Sequence, residues 1–330
     1  MGARKHNQPR RGSLAYSPRA RAKSMEARIR AWPEVNSEEP KILAHCGFKA
    51  GCVQVVSIDD REKTPNAGKQ LVSLGTVLVT PPVTVLGVRG YSKNVDGAHA
   101  EFDVYAKDLP KNIAKELNVK SKDGALEEAE KHLKKIKEIF AIVAVSPSAA
   151  GLEQKKPYVF EAAVKGGDIE KQFAHVKEQL GKEIKIDQIF ETGASVDVAA
   201  ITKGKGWQGV IQRWGAKKKQ RKSRKTVREL GSLGPISPQY VMYTVPRAGQ
   251  MGFHQRIEYD KRILIMGNTE NNEIKINPDG GYKHFGLVKG DFIILKGSVP
   301  GTYRRLIKLR SQIRNAPTKV VKPNILEVVV

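Results

Sequence analysis

The feature that most limits how this chain can fold is a cationic run in its interior. Lys203–Arg228 reads KGKGWQGVIQRWGAKKKQRKSRKTVR, with eleven lysines and arginines and no acid. Like charges at this density repel one another, and no apolar period runs through them. Such a segment stays extended unless a polyanion neutralises it. A solvated basic tail or a localisation signal is the bland reading, but such runs are usually short and terminal. This one is internal and interleaved with Gly and Trp. Gly lets backbone approach a phosphate closely. Trp207 and Trp214 have two roles open to them, stacking on bases or packing at the root of a loop.

The rest of the charge follows the same division. Residues 1–30, 203–228, 231–262 and 301–323 together hold 31 basic and 3 acidic side chains, a balance of +28. The other 219 residues hold 27 basic and 31 acidic, a balance of −4, so the net +24 is confined to four segments. That argues against a uniformly basic surface. It points to a near-neutral body with polyanion-binding segments.

At 330 residues the chain has the length of about two domains at ~150 residues each. Hydrophobic residues make up 40%, enough for a core, and aromatics only 6%, so that core is mainly aliphatic. The longest apolar run, Gly75 to Val88, contains Pro81 and Pro82 and falls short of the ~20 residues that a bilayer span needs. The basic N-terminus has no apolar stretch of the secretory type. Cys46 and Cys52 read as two small hydrophobes in a reducing compartment, and a zinc site would need ligands beyond the nearby His45.

Residues 1–30 are rich in Arg, Pro, Gly and Ser and read as an extended arm. Val, Ile and Thr then mark short strands at Cys52–Asp59 and Thr76–Val88, where the Pro pair fits a strand start, an edge or a bulge. Further strands are expected at Glu101–Ala106, Phe140–Ser146, Tyr158–Val164, Ser195–Ile201, Ile263–Gly267, Glu273–Ile276, Asp291–Gly297 and Leu326–Val330. Leu126, Ala129, Leu133, Ile136 and Phe140 make one helical stripe. Ile169, Phe173, Val176 and Leu180 make another, with Asp168 as N-cap and Gly181 beyond its end. Residues 203–262 hold eight Gly and three Pro with little core periodicity. Strands on both sides of an α+β insertion predict one discontinuous β-barrel or sandwich. So long an irregular stretch makes sense if another molecule supplies its packing surface.

Enzymatic motifs fail on physical grounds. Gly204–Gly209 spells G-x-G-x-x-G after a strand, and Glu229 follows at the right distance. A dinucleotide site, however, needs a helix with an apolar face there, and KKKQRKSRK has none. No P-loop, H-E-x-x-H or G-x-S-x-G occurs, and the seven His are scattered. His132 and His175 fall on solvated helix faces. His254, within RAGQMGFHQR, is better read as a donor to RNA than as an acid–base catalyst. No catalytic, cofactor-binding or metal-binding residue is therefore assigned. The competing classes are an RNA-modifying or translation-factor-like enzyme on the same scaffold, and a free basic RNA chaperone.

Three stretches carry a family resemblance that covers nearly the whole chain. RKHNQPRRGSLAYSPR (Arg4–Arg19), DVAAITKGKGWQGVIQRWG (Asp197–Gly215) and TVPRAGQMGFHQRIEYDKRI (Thr244–Ile263) resemble the L-three family of large-subunit ribosomal proteins, in its archaeal and eukaryotic branch. The resemblance implies a six-stranded β-barrel like those of translation factors, with an inserted α/β lobe and long irregular basic extensions. The expected organisation is an arm at 1–36, a discontinuous barrel from 37–95, 192–202 and 263–330, a lobe at 96–191 and an rRNA-penetrating extension at 203–262. It also implies a structural, non-enzymatic constituent of the cytoplasmic ribosome that binds large-subunit rRNA early in assembly and reaches towards the peptidyl-transferase region. Its expected neighbours are other large-subunit proteins, with no membrane and no free homo-oligomer.

The residues expected to meet rRNA are Arg4, Lys5, Arg10, Arg11 and Arg19 in the arm. In the extension they are Lys203, Lys205, Trp207, Arg213, Trp214, Lys217, Lys218, Lys219, Arg221, Lys222, Arg224, Lys225, Ile236, Arg247, Gln250, His254 and Arg256. One departure stands out: Ile236 occupies the tip where the family often has Trp, and an apolar wedge between bases would take the place of stacking there.

Overall fold

A computed structural model describes residues 11–35, 37–117, 124–223, 225–270, 274–314 and 320–330. Its strands, in chain order, are β1 (Lys41–Ile42), β2 (Ala44–Ile58), β3 (Gln70–Val79), β4 (Val83–Asn94), β5 (Gly97–Tyr105), β6 (Glu138–Val145), β7 (Tyr158–Lys165), β8 (Glu183–Ile184), β9 (Ser195–Ile201), β10 (Trp207–Gln208), β11 (Gly249–Gln250), β12 (Gln255–Asn268), β13 (Asp291–Lys296), β14 (Leu306–Ser311) and β15 (Ile325–Val329). The helices are α1 (Lys111–Leu117), α2 (Ala125–His132), α3 (Ile169–Gln179) and α4 (Val210–Trp214). The chain divides into two compact units, one of residues 1–25 and 201–255, the other of residues 26–200 and 256–330.

The larger unit is mostly β-sheet. Six strands pair in the cyclic order β2, β3, β13, β12, β9 and β14, and β14 returns to β2, so the ring has no free edge in its pairing. β15 adds to β2 outside the ring. Period-2 alternation fills the ring: Leu78, Val196, Val198, Ala200, Ile263, Ile293, Leu295, Ile307 and Leu309 form one buried cluster. These small and branched side chains match the aliphatic composition.

The second sheet runs β1–β7–β6–β4–β5, with β8 also paired to β4. Thus Val83–Asn94, which the sequence joined to Thr76–Val79 as part of the expected barrel, pairs in the second sheet. Pro81 and Pro82 interrupt the ladder between β3 and β4, because Pro cannot donate to it, and the chain changes sheets there. A large cluster, including Phe48, Val55, Phe292 and Leu306 of the ring and Val85, Ile139 and Val143 of the second sheet, joins the two sheets with Phe173 and Val176 of α3.

Helix α3 matches its expected span, and Asp168 occupies the N-cap position without a side-chain hydrogen bond. The other stripe is shorter than expected. Helix α2 stops at His132, a single 3-10 turn covers Leu133–Lys135, and Phe140 lies in β6. The helical spacing of Ile136 and Phe140 arises from a helix end and a strand that happen to face the same core. No strand forms at Ile274–Ile276, which reads as irregular chain closed over by Tyr282, and Glu273 lies outside the described residues. Gly51 sits at a register shift in β2 where an added Cβ would be 2.1 Å from the Tyr282 ring, so only glycine fits. Cys46 is buried as expected, whereas Cys52 lies on an exposed strand face.

Strand β14 is the element that the charge count concealed. It lies within the basic segment 301–323, yet it closes the ring. Ile307 and Leu309 face inwards, and Lys308 and Arg310 face outwards, where they are nonetheless buried. Arg310 pairs with Asp197 of β9 at 2.5 Å, with side-chain exposures of 2% and 1%. The same carboxylate accepts the backbone N–H of Asp260 at 3.1 Å and of Ile313 at 3.2 Å. Arg310 also donates to the carbonyl of Ala31 at 2.5 Å. Lys308 faces Glu26 at 3.5 Å and lies 4.7 Å from the centre of the Phe160 ring, and burial pushes its ammonium pKa down. Residues at the C-terminal end of the expected arm, Glu26 and Ala31, therefore cover these cations.

Two predictions follow from this core. Asp197→Ala leaves a buried guanidinium without its counter-charge and two N–H groups without an acceptor, and should destabilise the fold by about 3–5 kcal/mol. A lowered urea midpoint at unchanged slope is the expected readout; an unmoved midpoint would contradict it.

His45, opposite Leu309 on the ring's inner face, is fully buried and donates from Nδ1 to the Cys46 carbonyl at 2.8 Å. Burial lowers its pKa from 6.5 to about 4. The unfolded imidazole takes up a proton below pH 6.5, and the folded one only near pH 4. Stability is therefore full above pH 6.5 and falls by about 3 kcal/mol as pH drops towards 4. In denaturation measured at pH 7.5 and pH 5, His45→Gln should flatten this loss. Equal losses in variant and parent would contradict it.

Candidate nucleic-acid interface

The smaller unit begins where the chain leaves the ring. Thr202 and His254 exchange bonds: Thr202 N–H donates to the His254 carbonyl at 2.9 Å, and His254 N–H donates to Thr202 Oγ1 at 3.1 Å. Next, Lys205 N–H donates to the Met251 carbonyl, and Met251 N–H to the Gly206 carbonyl, both at 2.9 Å. Strands β10 and β11 continue the ribbon through Trp207↔Gln250 and Gln208↔Gly249. Gly252 has φ +75° and approaches Lys203 so closely that a Cβ would be 2.0 Å from its carbonyl oxygen. The glycines of the G-x-G-x-x-G stretch thus serve a ribbon and a tight start to α4. That helix is five residues long and ends at Gly215, with φ +67°. A dinucleotide site would require a longer helix packed on a sheet.

Arg213 and Trp214 act inside the protein. Arg213 Nε donates to the Gln250 carbonyl at 2.9 Å, Nη1 to that of Arg247 at 3.0 Å, and Nη2 to that of Arg19 at 3.3 Å. One planar guanidinium therefore ties α4, the returning strand and the arm together. Trp214 is buried, and its indole N–H donates to the Arg247 carbonyl at 3.0 Å. The Arg19 guanidinium lies 3.8 Å from the centre of the Trp214 ring and donates to the Arg213 carbonyl at 2.6 Å. Of the two roles open to Trp214, the structure shows packing at the root.

The arm has further ties. Ala22 N–H donates to the Phe253 carbonyl and His254 Nδ1 to the Ala20 carbonyl, both at 2.8 Å. Gln250 turns its amide to the Gly252 carbonyl at 3.0 Å. RAGQMGFH is therefore, in large part, the buckle that holds the arm to the ribbon.

The remaining expected residues divide by exposure. Arg11, Lys203, Lys205, Lys217, Lys218, Arg221, Lys222, Lys225 and Arg247 are exposed, and Lys219 and Arg256 are half-buried. Lys219 faces Glu229 at 3.4 Å. Arg4, Lys5, Arg10 and Arg224 lie outside the described residues. Trp207 is 77% exposed and Ile236 92%. Tyr240, Met242 and Tyr243 are exposed as well and were missed by the sequence reading, which weighed only the missing tip Trp. Their signal was available: aromatic residues in a Gly- and Pro-bounded stretch without core periodicity. Met242 and Tyr243 join Pro18, Arg19, Trp214 and Arg247 around a cleft of about 450 Å³.

Exposed cations, exposed rings and accessible glycine backbone are the groups that bind phosphates and unpaired bases. The clasp beneath them should depend on Trp214. Trp214→Ala removes a stacked cation and one hydrogen bond, and should speed exchange of the Ala22 amide about tenfold. Unchanged exchange would show that the arm is held by other contacts.

A family model described as Ribosomal protein L3 matches residues 1–329. A large ribosomal subunit protein uL3 of Methanothermobacter thermautotrophicus is 39% identical over 327 residues, covering 97% of this chain and 96% of that protein. Those of Methanococcus vannielii and Methanococcus maripaludis are each 41% identical over 331 residues, covering 98% of this chain and 97% of each relative. With the similarity running from the arm through the ribbon and buckle to the last strand, the chain belongs to the ribosomal protein L3 family.

Proposed function

We propose that this protein is a structural constituent of the large ribosomal subunit in the cytoplasm, and that its arm and the segment 203–262 bind large-subunit rRNA. The observation that carries this reading is the pairing of exposed Lys217, Lys218, Arg221, Lys222 and Lys225 with exposed Trp207, Ile236, Tyr240 and Tyr243 on chain that has almost no acid to neutralise it. The lysines and arginines neutralise phosphates and release counterions. Glycines allow close backbone approach, and the rings and Ile236 meet unpaired bases. Arg19, Arg213, Trp214 and His254 act one step back, by fixing the arm and the ribbon in the register that presents these groups.

The ring is then a six-stranded barrel of the translation-factor kind, and the second sheet with its helices the core of an α/β lobe. The segment 203–262 penetrates rRNA towards the peptidyl-transferase region, and the protein joins the rRNA early in assembly beside neighbouring large-subunit proteins. It carries no chemistry of its own. In a sucrose gradient of cell extract, the tagged protein should co-sediment with the large subunit at one copy per particle. Recovery mainly at the top of the gradient would overturn the proposal in favour of a free RNA binder.

A further inference from the structure

Two loops of the larger unit carry cations that the reading above does not use, one in the near-neutral body and one reaching into the basic segment 301–323. Residues 280–290 and 299–305 hold Lys283, Lys289, Arg304 and Arg305, and no Asp or Glu. Both loops are fixed to β2. Arg304 N–H donates to the Lys49 carbonyl at 2.8 Å, Lys49 N–H donates to the Arg305 carbonyl at 3.1 Å, and Tyr282 packs against Gly51. This brings two dipeptides together, Lys283-His284 and Tyr303-Arg304. The His284 and Tyr303 rings lie 6.2 Å apart at 39°, and both are exposed. Lys283, Lys289 and Arg304 are exposed too, and among the described residues none of them forms an ion pair. His284 and Arg304 each have left-handed backbone, with φ of 66° and 63°, which L side chains seldom adopt.

We propose that this patch is a second rRNA contact, on the ring itself, which takes unpaired nucleotides. The Tyr303 and His284 rings stack on bases, and Lys283 and Arg304 bind the flanking phosphates. A cation beside an exposed ring, twice over, suits a nucleotide, which offers a flat base and a phosphate together. An acidic protein segment would use the cations and leave the rings unexplained. The inference rests on the proposed rRNA-binding role and adds a separate site to it.

The test is filter binding of the full-length protein to its large-subunit rRNA transcript over a range of salt. Two charge variants are compared: Lys283→Gln with Arg304→Gln in the patch, and Lys217→Gln with Lys218→Gln and Lys222→Gln in the extension. The patch pair should flatten the slope of log K against log salt by about 1.5. Tyr303→Ala should weaken binding about tenfold, and Tyr303→Phe should restore most of that loss. All these side chains are exposed, and unchanged melting temperatures exclude a folding defect. If the extension variant weakens binding and the patch variants match the parent, the patch inference is overturned and the proposed function stands. If only the patch variants weaken it, the patch stands and the extension reading falls. Parent-like behaviour of both variant sets overturns both. Loss of poly-glutamate binding with unchanged rRNA affinity in the patch pair would assign the surface to an acidic protein segment instead, and overturn the proposal.

Discussion

The buried pair between Arg310 and Asp197 is the contact on which most of the larger unit depends. Bringing two charges out of water is expensive, and a buried pair is tolerated only where further hydrogen bonds satisfy it. Here the carboxylate accepts from Arg310 and from the N–H groups of Asp260 and Ile313, while the guanidinium also reaches the Ala31 carbonyl. One ion pair thus holds β9 against β14 and fixes the left-handed residue in β12, Asp260, with φ 56°. It also holds Ala31, near the C-terminal end of the expected arm. The strands that it joins include both through which the chain leaves and re-enters the ring.

The basic side chains fall into three physical classes. Lys49, Lys308 and Arg310 are buried and work within the β-sheet core, each against a carbonyl or carboxylate. Arg19 and Arg213 are half-buried and donate to backbone carbonyls, so they set the geometry of the arm and the ribbon. The lysines and arginines of 217–225 are mostly exposed. The third class is left exposed, as are Lys203, Lys205, Arg247, Lys283, Lys289 and Arg304. The excess charge of +28 on four segments therefore overstates the number of cations left exposed there, and the −4 body holds exposed Lys283 and Lys289.

Much of the fold was legible in the sequence because it rests on local pattern. Short runs rich in Val and Ile located β6, β7, β9, β13 and β15 to within a few residues, and the 3.6-residue period with its terminal Gly located α3. The failures share one cause. Strand β14 was hidden because Lys308 and Arg310 look like solvent-facing residues until Glu26, Ala31, Phe160 and Asp197 are brought against them. Helix α2 was overextended because a strand supplied the last apolar residue of its stripe. For the candidate interface, the exposed cations were legible from composition. The inward roles of Arg213, Trp214 and His254 were not, since their partners lie up to 234 residues away in the chain.

The sequence alone determined where strands and helices could form, that no apolar core could run through 203–228, and that the excess positive charge lies in four segments. Those properties depend on residues a few positions apart, through side-chain periodicity and the repulsion of neighbouring charges. The tertiary structure alone decided that six strands close into a ring, that the Pro pair sends β4 into a different sheet, and which cations are buried, clasped or presented. Burial and pairing depend on contacts between residues far apart in the chain, and the same lysine or arginine is a core residue or a ligand site according to whether a carboxylate or carbonyl has been folded against it.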